Sequence, residues 1–107
     1  MVVDYSYISL FVTGSPSITS LLFDSNSTTL TCTSTGGPPT TVSWRKNGVT
    51  VDLSIYEQSQ RLVDAESATY QSVLFNDIVT NFVGTFTCEI SNVRVTVPVQ
   101  ETLELNG

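Results

Sequence analysis

Two cysteines, Cys32 and Cys88, stand 56 positions apart, and the stretch that opens on the first runs C-T-S-T-G-G-P-P-T-T-V-S-W to Trp44, the one tryptophan of the chain. In an oxidising compartment a cysteine pair can join two stacked sheets. An indole beside it fills the adjoining space, because both groups are bulky, apolar and thin in one dimension. Strands must therefore pass through these residues and face each other. The composition agrees: Ser and Thr supply 30 of the 107 residues and charged residues only 13%, a mixture suited to pleated, half-buried surfaces rather than helices. The expected class is all-β, and 107 residues hold one sandwich over residues 1–107 with no room for a second core.

Taken in order, Tyr5 to Val12 alternates as a first strand, and Gly14-Ser15-Pro16 breaks it before Ser17 to Phe23 resumes. A proline donates no ladder hydrogen bond, so the break predicts a kink at which the strand crosses to the other sheet. Asp24-Ser25-Asn26-Ser27 is a turn by composition. Thr28 to Ser34 follows, with Leu30 and Cys32 on one face and Thr29, Thr31 and Thr33 on the other. Beyond the Gly36-Gly37-Pro38-Pro39 loop, Thr41 to Lys46 turns Val42 and Trp44 inward and Ser43 and Arg45 outward. Asn47-Gly48 is a type I′ hairpin signal leading into Val49 to Val51.

Asp52 to Ser67 is irregular, with a short strand expected near Gln60 to Val63 and a turn at Asp64 to Ser67. In the strand Ala68 to Phe75, the apolar spacing upstream of Cys88 places Val73, Phe75 and Ile78 inside and Tyr70 and Leu74 outside or partly so. Gly84 to Cys88 puts Phe86, Cys88 and Ile90 inward, and Asn92 marks the turn to a last strand. There Val95, Val97, Val99, Leu103 and Leu105 share one parity, broken by Glu101, with Pro98 pointing to a bulge or exposed edge. No internal repeat, heptad or low-complexity linker is visible.

Three runs carry a family resemblance: Thr29-Leu30-Thr31-Cys32, Val42-Ser43-Trp44-Arg45-Lys46-Asn47-Gly48, and Gly84-Thr85-Phe86-Thr87-Cys88-Glu89-Ile90-Ser91-Asn92. The chain resembles I-set and C2-like immunoglobulin domains from the extracellular parts of receptor tyrosine kinases and adhesion molecules. Its Ser/Thr-rich divergence is similar to that of an invertebrate receptor such as a sponge receptor tyrosine kinase. The resemblance implies a β-sandwich of two antiparallel sheets with a Cys32–Cys88 inter-sheet disulfide and a core signature of Leu30, Trp44 and Phe86. Such a bridge is worth roughly 4 kcal/mol for a loop of this length. It also implies a secreted or cell-surface location; the alternative is a cytosolic sandwich with two buried free thiols. The family's usual Asp-x-Gly-x-Tyr-x-Cys reads here Phe82-x-Gly84-x-Phe86-x-Cys88. The tyrosine-corner hydroxyl is thus missing at Phe86, and Arg61, placed like the partner of the absent Asp, has lost its carboxylate.

Chemistry narrows the function classes further. The chain has no histidine, which removes His-dependent triads and His-ligated metals. Asp64 with Glu66 reads as a solvated turn rather than an acid–base pair or calcium site. The expectation is therefore a non-enzyme with no catalytic residue, metal or cofactor. A net charge of −6 disfavours nucleic acid and anionic membrane surfaces, and no run is long and apolar enough to insert into a bilayer. Met1 to Asp4 lacks the basic flank and apolar core of a signal peptide, so the chain reads as an excised module.

Asn26-Ser27-Thr28 is a candidate N-glycosylation sequon. Tyr5, Tyr7 and Phe11 read as strand core or linker packing sooner than as a contact patch. The expected function is recognition by the extracellular part of a single-pass cell-surface receptor, with a protein ligand or a like domain as partner. Two surfaces are open to it: the end carrying the Gly36 to Thr40 loop and the Asn92 turn, and the sheet face with Arg45, Glu89 and Arg94. A homodimer through the last strand, or a spacer that binds nothing, are the rivals.

Overall fold

The computed structural model describes residues 15–36, 41–92 and 97–106. Its strands are β1 (Ser17–Asp24), β2 (Thr29–Thr35), β3 (Thr41–Lys46), β4 (Val49–Thr50), β5 (Glu57–Asp64), β6 (Thr69–Phe75), β7 (Gly84–Ser91) and β8 (Val99–Leu105), with a 3₁₀ turn at Val79–Asn81. They form two four-stranded antiparallel sheets, ordered β1-β2-β6-β5 and β4-β3-β7-β8. Cys32 in β2 and Cys88 in β7 belong to different sheets, so their bond crosses the core. Trp44 lies opposite Cys88 in the β3–β7 register and is 1% exposed. Leu30, Leu74, Phe86 and Ile90 complete the fully buried centre. The sandwich that the cysteine and tryptophan spacing calls for is therefore the one observed.

Local chemistry explains the turns. Asp24 accepts the N–H of Asn26 on Oδ1 (2.9 Å) and Asp64 accepts that of Glu66 (3.1 Å), the Asx geometry that short acidic side chains favour. Each turn continues through a serine whose hydroxyl meets a threonine two residues on, Ser27 with Thr29 and Ser67 with Thr69. Each has positive φ before that threonine, 49° at Thr28 and 51° at Ala68. The shared pattern D-x-x-S-x-T is a six-residue echo that reading for long repeats overlooks. Because Thr29 pairs with Phe75, the two turns sit at opposite ends of the sheet.

The β3–β4 turn has φ of 53° at Asn47 and 82° at Gly48, as a type I′ hairpin requires. It is also docked on β7: the Asn47 N–H donates to the Thr85 carbonyl (2.7 Å) and Asn47 Oδ1 accepts the Thr85 N–H (2.9 Å). A Cβ on Gly84, at φ 124°, would lie 2.8 Å from that same Oδ1, so this position excludes a side chain.

Four expectations are corrected or refined. First, the inward parity of β6 is Ser72 and Leu74, not Val73 and Phe75: Leu74 is 0% exposed and Ser72 3%, while Ile78 is 54% exposed. The cause is register. Leu30 faces Leu74 and Cys32 faces Ser72, so a small side chain adjoins the bridge. Val73 and Phe75 join Thr31 and Thr29 on the outer face, and Ile78 lies beyond the strand. Second, the segment after the Gly14-Ser15-Pro16 break lies on the β2 sheet: β1 pairs with β2 from Ser17 to Asp24, with a register shift between Ile18 and Ser20, and the segment before the break lies outside the described residues. Third, β5 spans eight residues, where only Gln60 to Val63 was expected, because β6 offers it a full-length neighbour. Fourth, the regular β4 ladder is only Val49–Thr50; Val51 still bonds back on β3 as expected, its N–H donating to the Trp44 carbonyl (3.0 Å), and is buried, 7% exposed.

In β8, Val99, Leu103 and Leu105 pack on the core, whereas Val97 is 75% exposed. The expectations for Tyr5 to Val12, most of the Gly36 to Thr40 loop, Arg94 and Val95 lie outside the described residues. The β6 correction has a direct check. Leu74→Ala should lower the unfolding free energy by about 2–5 kcal/mol, whereas Val73→Ala should cost about 1 kcal/mol or less, both read from urea titrations of the oxidised domain.

Candidate recognition face

The outward parity of β3, β7 and β8 builds a polar sheet face. Register places Ser43 opposite Glu89 and Glu89 opposite Gln100, with Arg45, Thr87 and Thr102 forming the next row. Glu89 is the hub. Its Oε1 accepts from Ser43 Oγ (3.3 Å) and lies 3.7 Å from Arg45 Nη2, while its Oε2 accepts from Gln100 Nε2. Thr87 and Thr102 share a hydroxyl hydrogen bond of 3.1 Å. Arg45 Nε is shielded from water and has no hydrogen-bond partner, an unmet donor beside this network. The Glu89 side chain is only 17% exposed, so its charge is held within the face rather than projecting from it. Arg45 and Glu89, separated by 44 positions in sequence, are thus brought together as strand parity predicted. Arg94, expected on the same face, lies outside the described residues.

Two further surface features bear on function. Asn26 is exposed at the tip of the β1–β2 turn, accessible for modification. At the same end of the sandwich, Phe23, Val79, Phe82, Val83 and Leu105 line an apolar cleft of about 260 Å³. In the loop after β4, Ser54 donates both its Oγ–H and its N–H to Asp52 Oδ1, which holds the Asp52 carboxyl below the usual carboxylate range. Among the described residues no cluster of three or more His, Cys, Asp or Glu is placed to hold a metal, and no helix is long and apolar enough to cross a membrane.

A model of the immunoglobulin domain matches residues 11–92. The chain belongs to the immunoglobulin domain family. A search of curated proteins gives no match. Family membership and the bridged sandwich together make this a domain of the recognition and adhesion kind.

Within that family frame, the two departures at Phe82 and Phe86 acquire a structural reading. Phe86 is fully buried, and Phe82, 2% exposed, stacks at a ring distance of 5.6 Å from it and 5.0 Å from Phe23. Tyr56 closes the cluster edge-on to both Phe82 and Phe86, at 5.6 and 6.4 Å. Its hydroxyl donates to the Asn81 carbonyl in the 3₁₀ turn before β7. The hydroxyl missing at Phe86 is therefore supplied from the loop before β5, and an aromatic replaces the acid at Phe82.

Asn76, 5% exposed, fixes the same connection: its Oδ1 accepts from the Ile78 N–H (2.8 Å) and Asn81 Nδ2 (3.0 Å), and its Nδ2 donates to the Ile55 carbonyl (2.9 Å). Arg61, which has no acidic partner among the described residues, donates from Nε and Nη2 to Gln71 Oε1 (3.0 and 2.6 Å) on the outer face. Sequence reading missed Tyr56, because the residues that hold it come from separate parts of the chain. Lys46 Nζ also donates to the Asn81 carbonyl (3.3 Å), so removing the Tyr56 hydroxyl does not orphan that acceptor. Tyr56→Phe should accordingly cost only about 1 kcal/mol, measured as the change in urea midpoint at constant slope.

Proposed function

We propose that this domain is a non-catalytic recognition module in the extracellular part of a cell-surface receptor, of the receptor tyrosine kinase-like kind that its I-set resemblance implies, and that it binds a protein ligand. The observation that supports this best is the Glu89-centred face. It is rich in hydroxyl and amide groups and carries opposite charges in Arg45 and Glu89. Polar sheet faces of this kind suit reversible contact with another folded surface, where hydrogen bonds set specificity. The inter-sheet disulfide supports an extracellular location, since such bonds persist in oxidising compartments. Asn26, exposed in its turn, carries an N-linked glycan in this reading, at the end of the molecule opposite the β5–β6 turn.

The test is binding of the multimerised domain to a panel of cell-surface ectodomains. Arg45→Ala and Glu89→Ala should each weaken binding at least tenfold. Both side chains lie on the outward parity of their sheet, outside the hydrophobic core, so both variants should stay folded, which an unchanged urea midpoint checks. Thr31→Ala, on the outer face of the other sheet, should bind as the parent does. Undiminished binding by both Arg45 and Glu89 variants would remove this face from consideration, and no binding to any ectodomain would favour a spacer.

A further inference from the structure

Each sheet has two edges, and an edge strand exposes a row of unpaired N–H and C=O groups unless something guards it. Among the described residues, three of the four edges are guarded. β4 is two residues long. β1 carries the register shift between Ile18 and Ser20 and packs beside β8. β8 is preceded by Pro98 and presents exposed Glu101 and Glu104 with no cation of its own, so two copies of this edge would meet with like charges. The fourth edge is β5, Glu57-Gln58-Ser59-Gln60-Arg61-Leu62-Val63-Asp64. All eight residues are exposed, no proline interrupts the strand, and its register with β6 is regular from Glu57 to Leu62, its one shift falling at the far end between Leu62 and Asp64.

We propose that β5 is a self-association edge, on which a second copy of this chain adds an antiparallel strand and continues the β1-β2-β6-β5 sheet across a two-fold axis. The register follows from symmetry and charge. A two-fold axis normal to the sheet maps outer face onto outer face, so only residues of equal parity can stand opposite each other. Glu57 and Arg61 share the outer parity, since Glu57 pairs with Phe75 and Arg61 with Gln71, both outward on β6. Centring the axis on Ser59 sets Glu57 opposite the partner's Arg61, twice, with Gln58 opposite the partner's Gln60. Centring it on Arg61 sets two arginines against each other, and centring it on Gln60 or Gln58 leaves both charges facing neutral residues. Opposite charges directly across a strand pair stabilise it and like charges oppose it, so the Ser59-centred register is selected.

The Arg61 guanidinium is held on that face by Gln71, whose Nε2 donates in turn to Thr33 Oγ1 (3.5 Å). In a chain of net charge −6, this edge is where two acidic copies can meet through opposite charges. The surface is separate from the Glu89 face, so either reading stands or falls without the other.

An interface of one strand edge is small and belongs with weak, transient associations. Sedimentation of the oxidised domain should show a monomer–dimer equilibrium with a dissociation constant of roughly 0.1–1 mM. Glu57→Arg alone sets arginine against arginine and should abolish the dimer; Arg61→Glu alone sets glutamate against glutamate and should do the same. Mixed together, the two single variants restore both pairings and should form a heterodimer, and the double exchange Glu57→Arg/Arg61→Glu should recover the homodimer. Both positions are exposed, so folding is retained and is checked by the unchanged urea midpoint. A single monomeric species at about 1 mM, or a dimer indifferent to these exchanges, would overturn the proposal.

Discussion

The contact on which the rest of the molecule depends is the bond between Cys32 and Cys88 with Trp44 packed next to it. A sandwich of this size buries little apolar surface for the chain entropy it must overcome, so a cross-link has more weight here than in a larger domain. The bond ties the centre of β2 to the centre of β7, and the strands beside it are placed by what fits. Ser72 opposite Cys32 leaves room for the bridge, Trp44 opposite Cys88 fills the other side, and Leu30 and Leu74 meet one step away. Trp44 Nε1 is buried without a hydrogen-bond partner, so the indole is held by packing alone. Such a residue tolerates the cost of an unmet N–H only where the surrounding contacts are extensive.

A second centre of order lies at the end of the sandwich that holds Phe23, Tyr56, Phe82 and Phe86. Where the family pattern implies an acid and a tyrosine, this chain has two phenylalanines, and the polar function is redistributed. Tyr56 provides the hydroxyl, Asn76 the bonds that fix the connection to β7, and Gln71 receives Arg61. The connection between the sheets is thereby held by hydrogen bonds from residues other than those of the family pattern. That a polar network can be rebuilt from elsewhere shows that the requirement is for donors and acceptors at the backbone, not for particular side chains.

What could be read from the sequence follows from how one-sided each strand is. β2 and β7 alternate strictly and β3 does so as far as Arg45, so their inward residues, the bridge and the turn at Asn47-Gly48 were all legible, and with them the pairing of Arg45 with Glu89. β6 has apolar side chains on both parities, Leu74 on one and Val73 and Phe75 on the other, and only the register with β2 decides between them. β5 is exposed along its whole length, so no hydrophobic period marks it, and it was foreseen at half its span. The pairing of β1 and the role of Tyr56 are long-range matters, set by strands and loops far off in the chain. The polar face was legible in its residues, but its hub at Glu89 and the unmet Arg45 donor required the geometry.

The molecule thus has a rigid frame whose two sheets present different surfaces: a polar face around Glu89 on one, and an unguarded edge at β5 on the other. Both depend on the frame holding its shape, and the frame depends on the bridge. The most direct measurement is equilibrium urea unfolding of the oxidised domain against its Cys32→Ala/Cys88→Ala variant under identical conditions. A loss of roughly 4 kcal/mol, or failure of the variant to fold, is the expected result. Equal stability within about 0.5 kcal/mol would contradict it, and would make the packing of Trp44, not the covalent bond, the feature that holds the two sheets together.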